Sequence, residues 1–428
     1  MPPSGTPPRK PSARGLTVLK TLRESVALLG TKRFGTFWFA SLLSSLGTWA
    51  QQVAEPWLLL TLGASPFLIG LDSFAMNAPV WLLTLVGGAL ADRADRRRVI
   101  AVFQSIQMLC PTAIVAFLVA GWIHPWMIIA LSVVVGVTDA LSMPSFQSIV
   151  PSIVERRQIG RGLALNSTQF NLSRILGPTI AGLLISSVGA VACFVVSAVS
   201  YVPFIGVALW ILPPWAPPAA PSEPETGRRK RPFDAILEIV RQPSLRTSLL
   251  TVLTTGTFCS PLVTFVPVLV RDVFHGDAGH FSAALASFGG GGLVGAVMLL
   301  GVAPGVDKRK LSSAFAFVYA GALVLIALGP WFLAIPPLLV VAGAAMTVSN
   351  TSANTCLQSD VRPDLLGQAV SLYMLALRGG MSLGALITGM SVAFLGVRHA
   401  LLLNGCVALA LQTLIAQTRS RSPEAARA

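Results

Sequence analysis

The feature that most restricts this chain is a recurrence: apolar stretches long enough to cross a bilayer, parted by short polar breaks, run from Phe34 to about Gln417. The hydrocarbon core of a membrane is about 30 Å thick and takes about 20 helical residues to traverse. Within it only a helix or a closed barrel satisfies its own backbone, so each stretch reads as a transmembrane helix. Charged residues make up only 11% of the chain, and a soluble protein of 428 residues has no need of so much apolar surface.

Twelve spans are predicted, at about 34–62, 66–91, 98–120, 124–150, 160–186 and 190–212, then about 245–270, 278–303, 311–330, 332–357, 365–391 and 396–418. The fold class expected is an all-α membrane protein of two pseudo-symmetric six-helix bundles. The bundles occupy 34–212 and 244–418. They are flanked by a basic tail at 1–33, a proline-rich linker at 213–243 and a short tail at 419–428. The first 33 residues lack a continuous apolar core with a cleavage site, which reads as a cytosolic tail and not a signal peptide.

A net charge of +14 could mark a nucleic-acid binder, but the placement of the 31 Lys and Arg argues otherwise. Seven lie in the first tail, and the rest of the loop cations gather in alternate breaks, leaving Arg271 and Arg398 on the opposite side. That is the positive-inside pattern; it puts both termini in the cytoplasm and makes the lipid bilayer, not nucleic acid, the partner. The five cysteines fall singly within apolar spans and read as small core residues.

An internal repeat supports the even count of spans. Residues 136–189 align without a gap on 343–396, with twelve identities that include Gly136/Gly343, Gly177/Gly384, Gly182/Gly389 and Gly189/Gly396. Parallel six-helix repeats imply two bundles rocking about a central site.

The break after the second span reads Gly87-Gly88-Ala89-Leu90-Ala91-Asp92-Arg93-Ala94-Asp95-Arg96-Arg97-Arg98. It resembles the signature loop of the major facilitator superfamily, G-x-L-a-D-r-x-G-r-r. By that resemblance Gly88, Asp92, Arg93, Arg96 and Arg97 form a cytoplasmic latch that stabilises the outward-facing state; anchoring the loop to anionic lipid is the alternative. Asp95 stands where the family has Gly. In span five, Ser173 to Gly182 is similar to the antiporter motif G-x-x-x-G-P-x-x-G, with Gly177, Pro178 and Gly182 in place. The second half has Ala385 instead of proline, so the full motif sits in one half only, and a packing kink without bearing on direction is its other reading. The segments at 143–178, 51–60 and 371–380 resemble siderophore exporters of the enterobactin type and macrolide efflux proteins.

Few ionisable residues lie inside the spans, where a charge must be paired or hydrated. Asp139 and Arg174 fall near mid-depth on adjacent antiparallel spans and are expected to form either a proton-coupling pair or a permanent salt bridge. Glu55, before Pro56, either faces the cavity as a proton site or reaches the outer surface, and Asp72, close to a span end, is expected to reach the surface. Arg378 aligns with Asn171 in the repeat, one turn from Arg174, and either faces the cavity or pairs with a carboxylate. Gln51, Gln52, Asn166, Gln169, Asn171, Asn350 and Asn354 are candidate cavity hydrogen-bonding groups, although tight helix packing accounts for some. Trp38, Trp49, Trp57 and Trp81 are candidates for stacking on a planar ligand.

The chain lacks G-x-x-x-x-G-K-[ST], its four histidines are too scattered for a metal site, and there is no soluble domain in which to assemble a nucleophile and base. The expectation is a monomeric secondary transporter in the bacterial plasma membrane that needs no cofactor or metal. It would export a small amphipathic substrate in exchange for protons. An importer or uniporter of the same fold, or a non-transporting scaffold or sensor, is the alternative.

Overall fold

The computed structural model describes residues 27–213, 232–303, 306–362 and 365–420. Residues 1–26 and 421–428 of the expected tails and 214–231 of the expected linker lie outside the described residues. The helices follow the apolar stretches closely. Span one is Phe34–Thr61, span three Arg96–Val119, span four Pro125–Ile153, span five Ile159–Ser187 and span six Val191–Trp210. Span two is broken into Pro66–Asn77 and Pro79–Arg93, because Pro79 has no N–H to continue the ladder. Spans eight, nine and ten are Ala278–Leu300, Lys308–Leu328 and Ile335–Asp360.

Span seven is composite: α-helix at Pro243–Thr254 and Pro261–Val268, with wide π-turns at Thr255–Cys259 and Leu269–Val273. The last helix, Leu366–Ser420, has 55 residues, and at about 1.5 Å per residue it is far too long for a single crossing. Gly396, at φ 77°, breaks it into spans eleven and twelve. Nine of the described helices are long and apolar enough to cross a membrane, the bent Gln368–Thr418 segment among them. Spans one and five, of 28 and 29 residues, are more polar, and they carry most of the candidate site residues.

Part of the linker departs from expectation. Pro232–Arg241 is helical, with Ile239 packed beside Leu245 and Leu249, and Glu238 meets Arg362 at 3.3 Å. Ile239 is fully buried there while Leu237 and Val240 stay exposed, so this part of the linker docks on the second bundle through one face. Among the cysteines, Cys406 is exposed on the apolar exterior, whereas Cys110, Cys193, Cys259 and Cys356 are buried as expected.

The sequence repeat is also a repeat of contacts. Gly177 of span five abuts Trp49 of span one, and its counterpart Gly384 of span eleven abuts Thr257 of span seven. One step further along, Gly182 meets Ser282 of span eight, and Gly389 meets Pro66 and Gly70 of span two. A Cβ at any of the four would run into the neighbouring backbone or side chain, which explains why these identities are glycines. Gly189 and Gly396 both end their helices at positive φ, 98° and 77°.

The buried apolar core tells how the bundles meet. At the end of the molecule away from the linker, one cluster joins Leu58 and Ala181 of the first bundle to Phe265, Phe281 and Val397 of the second. At the linker end the core divides. One cluster, containing Phe34, Ile100, Ile149 and Phe204, belongs to the first bundle alone, and another, containing Leu249, Leu357 and Tyr373, to the second alone. The two bundles are therefore closed against each other at the far end and separate at the linker end. Two further contacts seal the far end: Trp57 stacks on Phe281 at 4.7 Å, and Arg271 Nη1 donates to the Leu60 carbonyl at 2.9 Å.

Candidate substrate crevice and coupling residues

At mid-depth, where the shared core gives way to two separate ones, Arg378 of span eleven forms an ion pair with Asp139 of span four. This corrects the expected pairing of Asp139 with Arg174. The pair bridges the bundles instead of joining neighbouring helices of one bundle, with 19% of the Arg378 side chain and 33% of the Asp139 side chain exposed. Arg174 is partly buried and makes no hydrogen bond or ion pair with a described residue; it lies within electrostatic reach of the Tyr319 and Tyr373 hydroxyls of the second bundle. Those hydroxyls donate to the carbonyls of Cys259 and Asn350, each at 3.1 Å.

Glu55 does not reach the outer surface. It is 2% exposed inside the first bundle, where Gln51 Nε2 donates to its Oε1 at 2.8 Å and Ser197 Oγ donates to Gln51 Oε1 at 2.7 Å. Asp72, expected at the surface, is also buried, 3% exposed, and accepts from Ser132 Oγ at 2.6 Å. Span two starts only six residues earlier at Pro66, but span four covers that face, and burial is decided by the neighbour, not by depth along one helix. The two carboxylates interact electrostatically, and neither has a cation partner among the described residues. Tyr201, hydrogen-bonded to Thr48 Oγ1 at 2.9 Å, stands within electrostatic reach of both Glu55 and Asp139.

Several of the expected cavity amides turn out to tie helices together. Gln51 spends both ends of its amide on Glu55 and Ser197. Gln169, 1% exposed, donates to the Ser41 carbonyl, Ser45 Oγ and Ser173 Oγ, which fastens span five to span one. Asn171 donates to the Ser167 carbonyl of its own helix, and Asn354 accepts from Gln358 one turn on. Gln52 is partly buried, and Asn166 and Asn350 each hold a buried side-chain oxygen without a hydrogen-bond partner among the described residues. Of the tryptophans, Trp38 donates to the Leu165 carbonyl at 2.8 Å and Trp57 is used in the Phe281 stack, so neither is left to meet a ligand. Trp81 lies against Gly379, beside Arg378, and Trp49 meets Phe170 edge-on at 6.1 Å.

The side chains of Asp92 and Arg93, and the surroundings of Gly88, lie outside the described residues. Arg96 donates to the Ser148 carbonyl at 3.3 Å, and Arg97 pairs with Asp95 at 2.9 Å, both within the first bundle. Asp95 itself caps span three by accepting from the Arg97 N–H, at φ −62°, a conformation that requires no glycine. Asp307 caps span nine in the same way, accepting from the N–H of Arg309 at 2.9 Å. In the antiporter-like motif, Pro178 is buried in the helix and Gly177 and Gly182 serve close packing. Gly384 and Gly389 do the same work in the second half without a proline.

Two helical bundles related by a repeat, sealed at one end, parted at the other and carrying charges in the crevice between them, define a transporter of the major facilitator type. The chain belongs to the transmembrane secretion effector family, whose pattern matches residues 24–428. It is therefore a multi-pass membrane transporter of an exporter family and not an enzyme, and its partner is a small-molecule substrate. Among its relatives is the staphyloferrin A transporter of Staphylococcus aureus, 26% identical over 84% of this chain and 90% of that one. Macrolide efflux protein A of Streptococcus pyogenes is 23% identical over 88% and 94%. The multidrug efflux pump Tap of Mycobacterium tuberculosis is 24% identical over 88% and 92%. The fold matches the nucleoside transporter NupG with a TM-score of 0.70 at 12% identity, covering 92% of this chain and all of that one. A bacterial homologue of the human lysosomal transporter Spinster, in an inward-facing and unoccupied conformation, matches with a TM-score of 0.68 at 17% identity, over 91% and 98%.

Proposed function

We propose that this protein is a proton-coupled exporter of small amphipathic molecules in the bacterial plasma membrane, working as a monomer by alternating access through twelve spans, with both termini in the cytoplasm. The observation that carries the reading is the Asp139–Arg378 pair. It joins the two bundles at the depth where the core divides, so rocking the bundles must break or remake it, and a charge pair broken by motion is a place where a proton or a charged solute can couple to that motion. With the termini cytoplasmic, the described form opens inward, ready to take substrate from the cytoplasm.

Glu55 supplies the second requirement. A carboxylate at this depth with an amide partner but no cation among the described residues, and with Asp72 beside it, is suited to holding a proton in one state and releasing it in the other. In this scheme the proton is carried by Glu55 or Asp139, with Tyr201 within electrostatic reach of both. The efflux functions named for the relatives favour export. The antiporter-like motif contributes little to that choice, because its glycines pack as their counterparts in the other half do, and a uniporter of the same fold keeps that one argument.

Uptake of N-phenyl-1-naphthylamine, an uncharged amphipathic dye, into inverted vesicles tests the reading. Uptake is expected to rise when the vesicle interior is acidified and to collapse with a protonophore. Dye movement indifferent to the gradient would replace the exporter by a uniporter.

A further inference from the structure

The crevice charges do not balance. Arg174, on span five of the first bundle, lies within electrostatic reach of Tyr319 and Tyr373 of the second, while Asp139 answers only Arg378. The other two intramembrane carboxylates do not neutralise Arg174: Glu55 and Asp72 are held inside the first bundle by Gln51 and Ser132. Arg174 is left with five N–H donors and no hydrogen bond or ion pair to a described residue, although a guanidinium at this depth is costly unless something pairs with it.

From this surplus we infer that the substrate is an amphipathic organic anion. Its carboxylate is gripped between Arg174 and Arg378, and Asp139 is an internal competitor for Arg378. The inference rests on the transport reading for its purpose, but the site itself is a matter of binding. The planar fork of arginine matches a carboxylate with two parallel hydrogen bonds, and two arginines on different bundles would let a single anion draw both walls together. Phe170 lies one turn before Arg174 on the same helix and is set edge-on to Trp49, an aromatic pair that suits a ligand with a ring next to its charge. Asp139 would be released from Arg378 as the ligand arrives, so binding an anion and freeing a carboxylate for protonation become one event.

Binding of dansyl-leucine and of its methyl ester to the purified full-length protein, followed by dansyl fluorescence, isolates the charge from the apolar body. The free acid is expected to bind about 10- to 100-fold more tightly than the ester, the worth of a charge-assisted hydrogen-bond pair. Arg174→Gln should erase that preference, Arg174→Lys should keep most of it, and Asp139→Asn should tighten the acid by removing the competitor. Equal binding of acid and ester, or an Arg174→Gln protein that keeps the preference, overturns the inference. The transport reading fails separately. A preserved acid preference with no dansyl-leucine flux into inverted vesicles removes export and leaves the anion site standing, whereas proton-driven uptake of N-phenyl-1-naphthylamine with equal acid and ester binding does the reverse.

Discussion

Arg378→Gln strikes the contact on which the alternation of the bundles is argued to turn. The substitution leaves Asp139 without a cation in a site where a third of its side chain meets solvent. Removing one partner of a buried pair costs about 3–5 kcal/mol, and partial exposure reduces this to about 1–3 kcal/mol here. Because the partners sit on different bundles, the loss falls only on the form that contains the pair. The linker-end-open form should therefore lose population by about 5- to 150-fold relative to the form open at the other end. Spin labels at Trp122 and Trp331, which are 72% and 75% exposed in far-end loops of the two bundles, report that opening as an increase in distance. The double variant Asp139→Asn/Arg378→Gln removes both charges and should return part of the distribution, giving an interaction energy of the same size in a double-mutant cycle. An unchanged label distance in the single variant, or strict additivity in the cycle, would refute a coupling role for the pair.

Three further outcomes are expected. Glu55→Gln preserves the hydrogen-bonding shape at Gln51 while removing the titrating group, so proton-driven efflux should fall to the level of a collapsed gradient while substrate exchange across de-energised vesicles continues. Gly182→Leu would put a Cβ 2.8 Å from the Ser282 carbonyl and should open the far end by the same spin-label measure, whereas Gly321→Leu, with nothing within 4 Å, should leave the distance unchanged. Asp277 caps span eight, and the hydrogen bond from the His280 side chain holds its carboxyl below the usual range. A depressed value means that its stabilisation is complete above about pH 4, where the unfolded carboxyl is ionised, and is lost as pH falls through the folded value. Melting curves should accordingly show an acid-side loss in the wild type that Asp277→Asn lacks.

Much of the architecture was legible because bilayer thickness, backbone satisfaction and cation placement act on the sequence one span at a time. The helix starts at Pro66, Pro125 and Pro243, and the glycine pairs of the repeat, are local signals of that kind. The site was legible only in its inventory. Asp139, Arg174 and Arg378 were recognisable as costly residues at mid-depth, but which of them meet depends on the rotation of each helix and on how the bundles are set, and consecutive spans gave the wrong partner. The same ignorance of rotation misplaced Gln51 and Gln169, which fasten helices, and Asp72, which span four covers. Tyr201 was missed altogether, since a single tyrosine in an apolar span carries no sign of lying within electrostatic reach of Glu55 and Asp139.

The wide turns of span seven bear on how this helix can vary. A π-turn holds one residue more than the α-turn it replaces, so Thr255–Cys259 behaves as a one-residue insertion accommodated without breaking the helix. Deleting Phe258 would restore ordinary winding there and leave the residues beyond facing as they do, whereas the same deletion in a plain α-helix would swing everything beyond it by about 100° around the axis. Leu262 and Phe265, now fully enclosed, would keep their place in the inter-bundle seam. The π-turn is thus a store of spare length: this stretch can give up one residue and keep its facing, as a helix of ordinary winding cannot.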